Sequence, residues 1–158
     1  MNVDELIQKA KAALPRIESV PTGASIRLDG DGPLTRGEIR FKPMQPDEWR
    51  EFIAVLPPRP GAYSDAMLGF NVDAATRAYP HMQIVVGDDV TEPGEKWAGM
   101  CTDDGIVDAA ARDLVAQALL EHHQFEPMRW QDAAGKASRG GRGKKPGSPA
   151  ISESRSGS

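Results

Sequence analysis

Residues 26–56 read IRLDGDGPLTRGEIRFKPMQPDEWREFIAVL and contain two segments with alternating apolar residues, followed by an amphipathic segment. On each side of a loop rich in Gly, Asp and Pro, one arginine stands between two apolar residues. This pattern is typical of a β-hairpin. The predicted inward face of this hairpin consists of Ile26, Leu28, Ile39 and Phe41. Because two strands alone are only marginally stable, we expect a helix to cover them.

That helix is predicted directly after the hairpin. Pro46 suits the first helical position, and Asp47 and Glu48 interact favourably with the N-terminal end of the helix dipole. An apolar stripe at helical spacing follows, formed by Trp49, Phe52, Ile53 and Leu56. The Pro-rich segment 57–61 must end the helix.

Further helices are predicted downstream. A short one covers residues 64–68, and Asn71 is a plausible N-cap for another that reaches Tyr79. The apolar run 82–86 is either a helix or a strand, because periodicity alone does not separate the two. Thr91 is a candidate N-cap before the helical segment that contains Trp97.

The longest predicted helix covers residues 104–123. Its apolar stripe is formed by Ile106, Val107, Ala110, Ala111, Leu114, Val115, Ala118 and Leu119. Near the N-terminus, helical spacing also predicts a helix over residues 3–14, followed by a linker at 20–23.

The last part of the chain has a different composition. Residues 131–158 are mostly Gly, Ser, Lys and Arg, with Ile151 as the single large aliphatic residue. Six basic residues against Asp132 and Glu153 give this segment a charge of +4, so residues 1–130 carry −8 of the formal total of −4. A segment so poor in apolar surface is predicted to be disordered.

The predicted fold class is therefore mostly α with a small N-terminal β-hairpin (α+β), with a helical body and a disordered C-terminal tail. The predicted division places an N-terminal helix and linker at 1–22, a globular domain at 23–130 and the tail at 131–158. No apolar run approaches the roughly 20 residues that cross a bilayer, and no apolar signal-peptide core follows Met1. The lone Cys101 agrees with a reducing compartment, so a soluble cytoplasmic protein is predicted.

No catalytic, cofactor or metal site is predicted. The loop between Arg27 and Glu38 has Asp and Gly at some calcium-loop positions, but it begins with a cation, so a hairpin turn is favoured. The adjacent His122 and His123 point about 100° apart on a helix and do not form an i, i+4 metal pair. Residues 139–143 lack the strand–turn–helix context of a phosphate-binding loop.

The alternative function is nucleic-acid binding through residues 136–145. This segment is similar to short Arg/Gly-rich segments that contact RNA. It has no aromatic residue to stack on bases, and the acidic body would repel phosphate. Nucleic acid is therefore the disfavoured partner.

Four segments carry a resemblance to a known family. They are FKPMQPDEW at 41–49, LPPRPG at 56–61, LGFNVD at 68–73 and EKW at 95–97. In this order they resemble the tail assembly chaperones of long-tailed (siphovirus-type) bacteriophages, particularly those that infect actinobacteria. The resemblance covers roughly residues 38–145 and leaves the N-terminal helix unmatched.

The resemblance implies a non-enzymatic protein that binds the tape measure protein during tail assembly. It implies the host bacterial cytoplasm as the location and absence from the mature virion. Ribosomal frameshifting in this family yields a longer form that recruits the tail tube protein, and Gly143, Lys144 and Lys145 are compatible with slippery codons. The present chain would be the short form.

Partner binding would use apolar side chains between amphipathic helices. The candidate anchors are the exposed members of a set of six, namely Trp49, Phe52, Phe70, Tyr79, Trp97 and Met100. The alternative for each is ordinary core packing. Copies of the chain are a further candidate partner, although the charge of −8 is expected to limit this self-association at low salt.

Overall fold

The computed structural model describes residues 1–13, 19–28 and 36–140, and it confirms an α+β protein with a mainly helical body. The helices are α1 (Val3–Ala13), α2 (Pro46–Ala54), α3 (Tyr63–Leu68), α4 (Val72–Ala78), α5 (Lys96–Cys101), α6 (Ala109–Leu120) and α7 (Glu126–Gly140). The strands are β1 (Val20–Arg27), β2 (Arg36–Phe41), β3 (Met82–Val86) and β4 (Asp89–Thr91). One compact unit covers Met1–Leu120, and a second begins at Glu121.

The strands form one antiparallel sheet in the order β1-β2-β3-β4. The ambiguous run 82–86 is therefore a strand, and the predicted two-stranded hairpin is half of a larger sheet. Ile39 of β2 lies opposite Ile84 of β3, so residues more than forty positions apart share one core face. Three helices, α2 to α4, occupy the connection between these neighbouring strands.

The predicted linker at 20–23 is wrong, because these residues form the first half of β1. Pro21 pairs with Arg40, and the Thr22 hydroxyl donates a 2.7 Å hydrogen bond to the Ile39 carbonyl. The register shifts between Pro21 and Ser25, where Gly23 has a φ of +81° that favours glycine. The predicted domain boundary after residue 22 consequently falls inside a strand.

The inner face of the sheet carries the core. Ile26, Ile39 and Phe41 are buried as predicted, together with Met82 and Ile84 of β3. Leu28 is 45% exposed, which corrects its predicted inward position. The reason is that β1 ends at Arg27, so Leu28 no longer follows the alternation of the strand.

The predicted helices on either side of the Pro-rich segment are confirmed as α2, α3 and α4. Pro46 begins α2, which buries Trp49. Asn71 caps α4 as predicted, since its side-chain oxygen accepts a 3.0 Å hydrogen bond from the Ala74 amide. Two further helices join this group: α6 lies against β1, and α4 contacts both α5 and α6.

Two predicted helix starts are wrong. Thr91 belongs to β4, and α5 begins only at Lys96. The predicted helix 104–123 begins at Ala109, because Gly105 has a φ of +64° and Asp108 accepts a 2.8 Å hydrogen bond from the Ala111 amide. The buried stripe is narrower than predicted and consists of Val107, Ala111, Val115 and Leu119.

The chain after Leu120 remains helical beyond the predicted end of the body. A single π-helical turn, Glu121–Phe125, leads into α7, so the predicted disorder is wrong for residues 131–138. The π turn is explained by Pro127, which has no amide hydrogen for a regular helical bond and clashes with the preceding turn. The rest of the predicted tail, including Gly143, Lys144 and Lys145, lies outside the described residues.

Candidate partner-binding surface

The residues predicted as partner anchors lie mostly inside the protein. The buried ones are Trp49, Phe70, Tyr79 and Trp97. The two that are half-buried against the same core are Phe52 and Met100. The structure therefore shows core packing for this set, and exposed anchors must be sought elsewhere.

Four aromatic members of the set, Trp49, Phe52, Phe70 and Tyr79, pack against one another at the junction of sheet and helices. Trp49 meets Phe70 edge to face, with ring centroids 5.8 Å apart. Tyr79 makes similar contacts with Phe41 at 5.7 Å and with Phe52 at 6.0 Å. Edge-to-face contacts of this kind add to the stabilisation from buried area, so these rings hold α2 and the end of α4 on the sheet.

The polar atoms of the buried rings are used within the fold. The Tyr79 hydroxyl donates a 2.6 Å hydrogen bond to the Lys42 carbonyl, and burial raises the pKa of this phenol above its usual value. The Trp97 indole nitrogen donates a 2.8 Å bond to the Thr76 carbonyl and thereby ties α5 to α4. Because their polar atoms are bonded inside the fold, Tyr79 and Trp97 stabilise the core and are not available to a partner.

Exposed apolar side chains occur instead on α3. We call Tyr63 and Met67 the α3 surface; they are 78% and 68% exposed. Tyr63 and Met67 stand four positions apart on α3 and so lie one turn apart on the same side of this helix. Tyr and Met are side chains that commonly anchor partner proteins, so this surface is the better candidate site.

An ion pair between the buried Asp65 and the half-exposed Arg59 holds α3 in place behind this surface. The Asp65 side chain is fully buried, and its carboxylate accepts hydrogen bonds from Arg59 Nε at 2.7 Å and Arg59 Nη2 at 3.0 Å. It also accepts from the backbone amides of Arg59 at 2.9 Å and Val72 at 3.2 Å. One carboxylate thus joins the Pro-rich loop, α3 and the start of α4.

The protonation of Asp65 follows from these contacts. The Arg59 guanidinium and the two amides hold the pKa of the Asp65 carboxyl well below its usual range, against the opposite effect of burial. The same hydrogen bond raises the pKa of Arg59. The pair therefore stays charged at neutral pH, and the α3 surface is displayed on a fixed support.

Sequence reasoning missed the α3 surface. The helix at 64–68 was predicted, but a helix of six residues has too few turns for its apolar pattern to show which side faces inward. The available signal was an acidic residue, Asp65, placed between two large apolar residues and six positions after Arg59. That signal becomes informative only when the ion pair is seen.

A second set of exposed apolar residues lies in the unit that begins at Glu121. Phe125, Met128 and Trp130 are all exposed there. Within this unit Arg129 forms an ion pair with Glu121, which lowers the pKa of the Glu121 carboxyl. The pair spans the π turn and the first turn of α7.

Ionisable groups elsewhere in the described part form pairs, such as His81 with Glu48 at 2.7 Å and Lys42 with Glu92 at 3.4 Å. Among residues 1–13, 19–28 and 36–140, no three His, Cys, Asp or Glu side chains are grouped so that they could hold a metal ion. Cys101 is buried, which raises the pKa of its thiol to about 11. The imidazoles of His122 and His123 lie 5.1 Å apart, and burial lowers the pKa of His122.

Comparison with known proteins does not assign a family. Neither protein-family models, nor curated proteins, nor solved structures give a match to this chain. Within the described residues no helix combines the length and apolar character needed to cross a membrane.

Proposed function

We propose that this protein is a non-catalytic tail assembly chaperone that binds the tape measure protein while the tail of a long-tailed bacteriophage is built. The observation that supports this proposal most strongly is the α3 surface, where Tyr63 and Met67 are exposed on a helix fixed by the buried Asp65. A chaperone for long aggregation-prone helices must offer apolar side chains to the apolar face of each client helix.

The two side chains suit such a client for different reasons. Tyr63 is rigid, and it combines a large apolar ring with a polar hydroxyl. Met67 is unbranched and flexible, so it adapts to clients whose sequence varies along their length. The acidic character of residues 1–130 favours basic client segments and keeps the complexes apart from one another.

In this proposal the protein acts in the host bacterial cytoplasm and is absent from the mature virion. A longer form made by ribosomal frameshifting recruits the tail tube protein. We therefore expect the nucleotide sequence around codons 143–145 to contain a slippery heptamer. An overlapping second frame and a long downstream gene for a mainly helical protein should follow it. A gene without these features would contradict the frameshift proposal.

Replacing Tyr63 and Met67 together by serine is expected to weaken binding of the tape measure protein at least about tenfold. Truncating two exposed anchors removes on the order of 1 kcal/mol of binding free energy each. The dissociation constant is measured by isothermal titration with a purified helical fragment of the client. The melting temperature should hardly change, because both side chains face solvent.

Val90→Ser is the matched control, since Val90 is an exposed apolar residue on β4, away from α3 in the sequence. Equal affinities for the control and the double variant would remove α3 from the binding site. Absence of any complex with the client would overturn the proposed function. Salt-sensitive RNA or DNA binding that disappears when residues 141–158 are deleted, with α7 retained, would favour the nucleic-acid alternative.

A further inference from the structure

The Pro-rich segment between α2 and α3 has a backbone conformation that its own sequence dictates. It reads LPPRP at 56–60, and its residues 57–59 belong to neither a helix nor a strand. Each proline ring fixes φ at about −65°, and a residue that precedes proline is restricted to the extended or polyproline region. Because Leu56, Pro57 and Arg59 each precede a proline, the segment follows a polyproline II helix, which has three residues per turn.

One edge of this polyproline helix is attached to the protein. Residues three positions apart lie on the same edge, so Leu56 and Arg59 share one. Leu56 is half-buried against the core, and its carbonyl accepts a 2.8 Å hydrogen bond from the Asn71 amide. Arg59 donates to the buried Asp65 carboxylate from its guanidinium at 2.7 Å and from its backbone amide at 2.9 Å. The edge that carries Leu56 and Arg59 therefore faces inward.

The other two edges carry prolines and face solvent. Pro57 and Pro60 stand one turn apart on one edge, and Pro58 lies on the other. All three residues are exposed. We call these three residues the proline ridge. Two prolines separated by two residues are the spacing that aromatic-lined grooves bind in polyproline II ligands, so the ridge presents this pattern to solvent.

The chemistry of the ridge selects this kind of partner over others. A helical client needs apolar side chains at helical spacing, and a nucleic acid needs unpaired cations. The ridge has a period of three residues, and the single charge of the segment, on Arg59, is already paired with Asp65. Because the inward edge is held by hydrogen bonds, docking of the ridge in a groove costs little conformational entropy.

We propose that the proline ridge docks in a groove lined by Tyr and Trp on a partner protein. The proline rings pack against the aromatic rings, and the phenol or indole hydrogen of the groove donates to a carbonyl of the ridge. The contact is small, so the complex is transient and its dissociation constant lies in the micromolar range. This proposal does not rest on the tape measure proposal, because it uses the ridge and not Tyr63 and Met67.

An NMR titration of the full chain, with isotopically labelled proline, tests the docking. The probes are a purified SH3 domain and a purified WW domain, because both bind polyproline II segments in aromatic-lined grooves. At least one of them should move the signals of Pro57 and Pro60 through ring currents, with saturation at micromolar concentrations. The signals of Pro46, which is exposed at the start of α2, should stay in place. Failure of both domains to move the ridge signals would overturn the proposal.

Pro57→Ala/Pro60→Ala is expected to weaken binding of the same domain at least about tenfold, because both rings are lost from one edge of the ridge. Pro46→Ala is the matched control, since it removes an exposed proline outside the ridge and should bind like the wild type. Circular dichroism shows whether both variants are folded. Equal affinities of two folded variants would contradict the assignment of the ridge as the binding site.

A measurement on the wild-type chain keeps the proposal testable if the double variant does not fold. N-acetyl-tryptophanamide at millimolar concentration serves as the probe, since it offers the indole ring of such a groove without the rest of the partner. It should shift the signals of Pro57 and Pro60 more than those of Pro127, an exposed proline in α7. Equal shifts at all exposed prolines would show that the ridge has no preference for an aromatic partner and would overturn the proposal.

Discussion

Trp97→Ala is expected to reduce the free energy of unfolding by about 3–5 kcal/mol, the cost of removing a large ring from a packed core. Trp97 is fully buried, and the substitution also leaves the Thr76 carbonyl without its 2.8 Å hydrogen bond. Urea unfolding followed by circular dichroism measures the change. A loss of this size is a large part of the stability of a typical domain.

Trp130→Ala provides the comparison with the same residue type. Trp130 is 62% exposed on α7, so its removal should change the free energy of unfolding by no more than about 0.5 kcal/mol. If Trp97→Ala proved as stable as Trp130→Ala but lost the client, the original prediction of Trp97 as an anchor would regain its support.

Asp65→Asn is expected to lower the melting temperature by roughly 5–10 °C, because the buried carboxylate accepts four hydrogen bonds that an amide cannot all accept. The amide keeps the shape of the carboxyl group but offers one oxygen in place of two acceptors. Client affinity should also fall, since α3 loses its support behind Tyr63 and Met67. Differential scanning calorimetry and the titration described above measure the two effects.

Asp132→Asn is the matched control. Asp132 forms an exposed i, i+4 pair with Lys136 at 3.3 Å, and such pairs contribute little to stability. Its melting temperature should lie within about 2 °C of the wild type. An equal effect of both substitutions would show that burial of Asp65 is not what makes its ion pair important.

The pH dependence of stability provides an independent test of Asp65. Because the folded protein holds the pKa of this carboxyl below its value in the unfolded chain, the ion pair stabilises the fold above the ordinary value of about 4. This stabilisation is lost as the pH falls towards the folded pKa. The difference in urea midpoint between wild type and Asp65→Asn should therefore narrow below about pH 4. A constant difference would contradict the assignment.

The elements that were predicted correctly are those with a strong local signal. Alternation placed Ile39 and Phe41 on the inner face, because the two sides of a strand differ at every step. The N-cap Asn71 and the start of α2 at Pro46 were also correct, since both depend on neighbouring residues.

Local pattern was wrong or left alternatives open where a contact distant in sequence decides the structure. Residues 20–23, predicted as a linker, form a strand through pairing with β2, and the open alternative at 82–86 is settled as a strand by pairing with the other edge of β2. Most of the aromatic candidates for partner binding lie in the core. Large apolar rings are stabilised by burial in a core as well as in an interface, so sequence alone does not separate the two. Exposure of Tyr63 and Met67 followed from an ion pair that periodicity does not reveal.

The sequence by itself determined an α+β protein with an acidic body, a buried hairpin face and a proline-bounded helix, because each of these depends on local pattern or composition. The tertiary structure alone decided which apolar residues are available to a partner. Burial is a property of the assembled layers: Trp97 of α5 is fully buried and bonded to α4, while the Arg59–Asp65 pair holds α3 with Tyr63 and Met67 exposed.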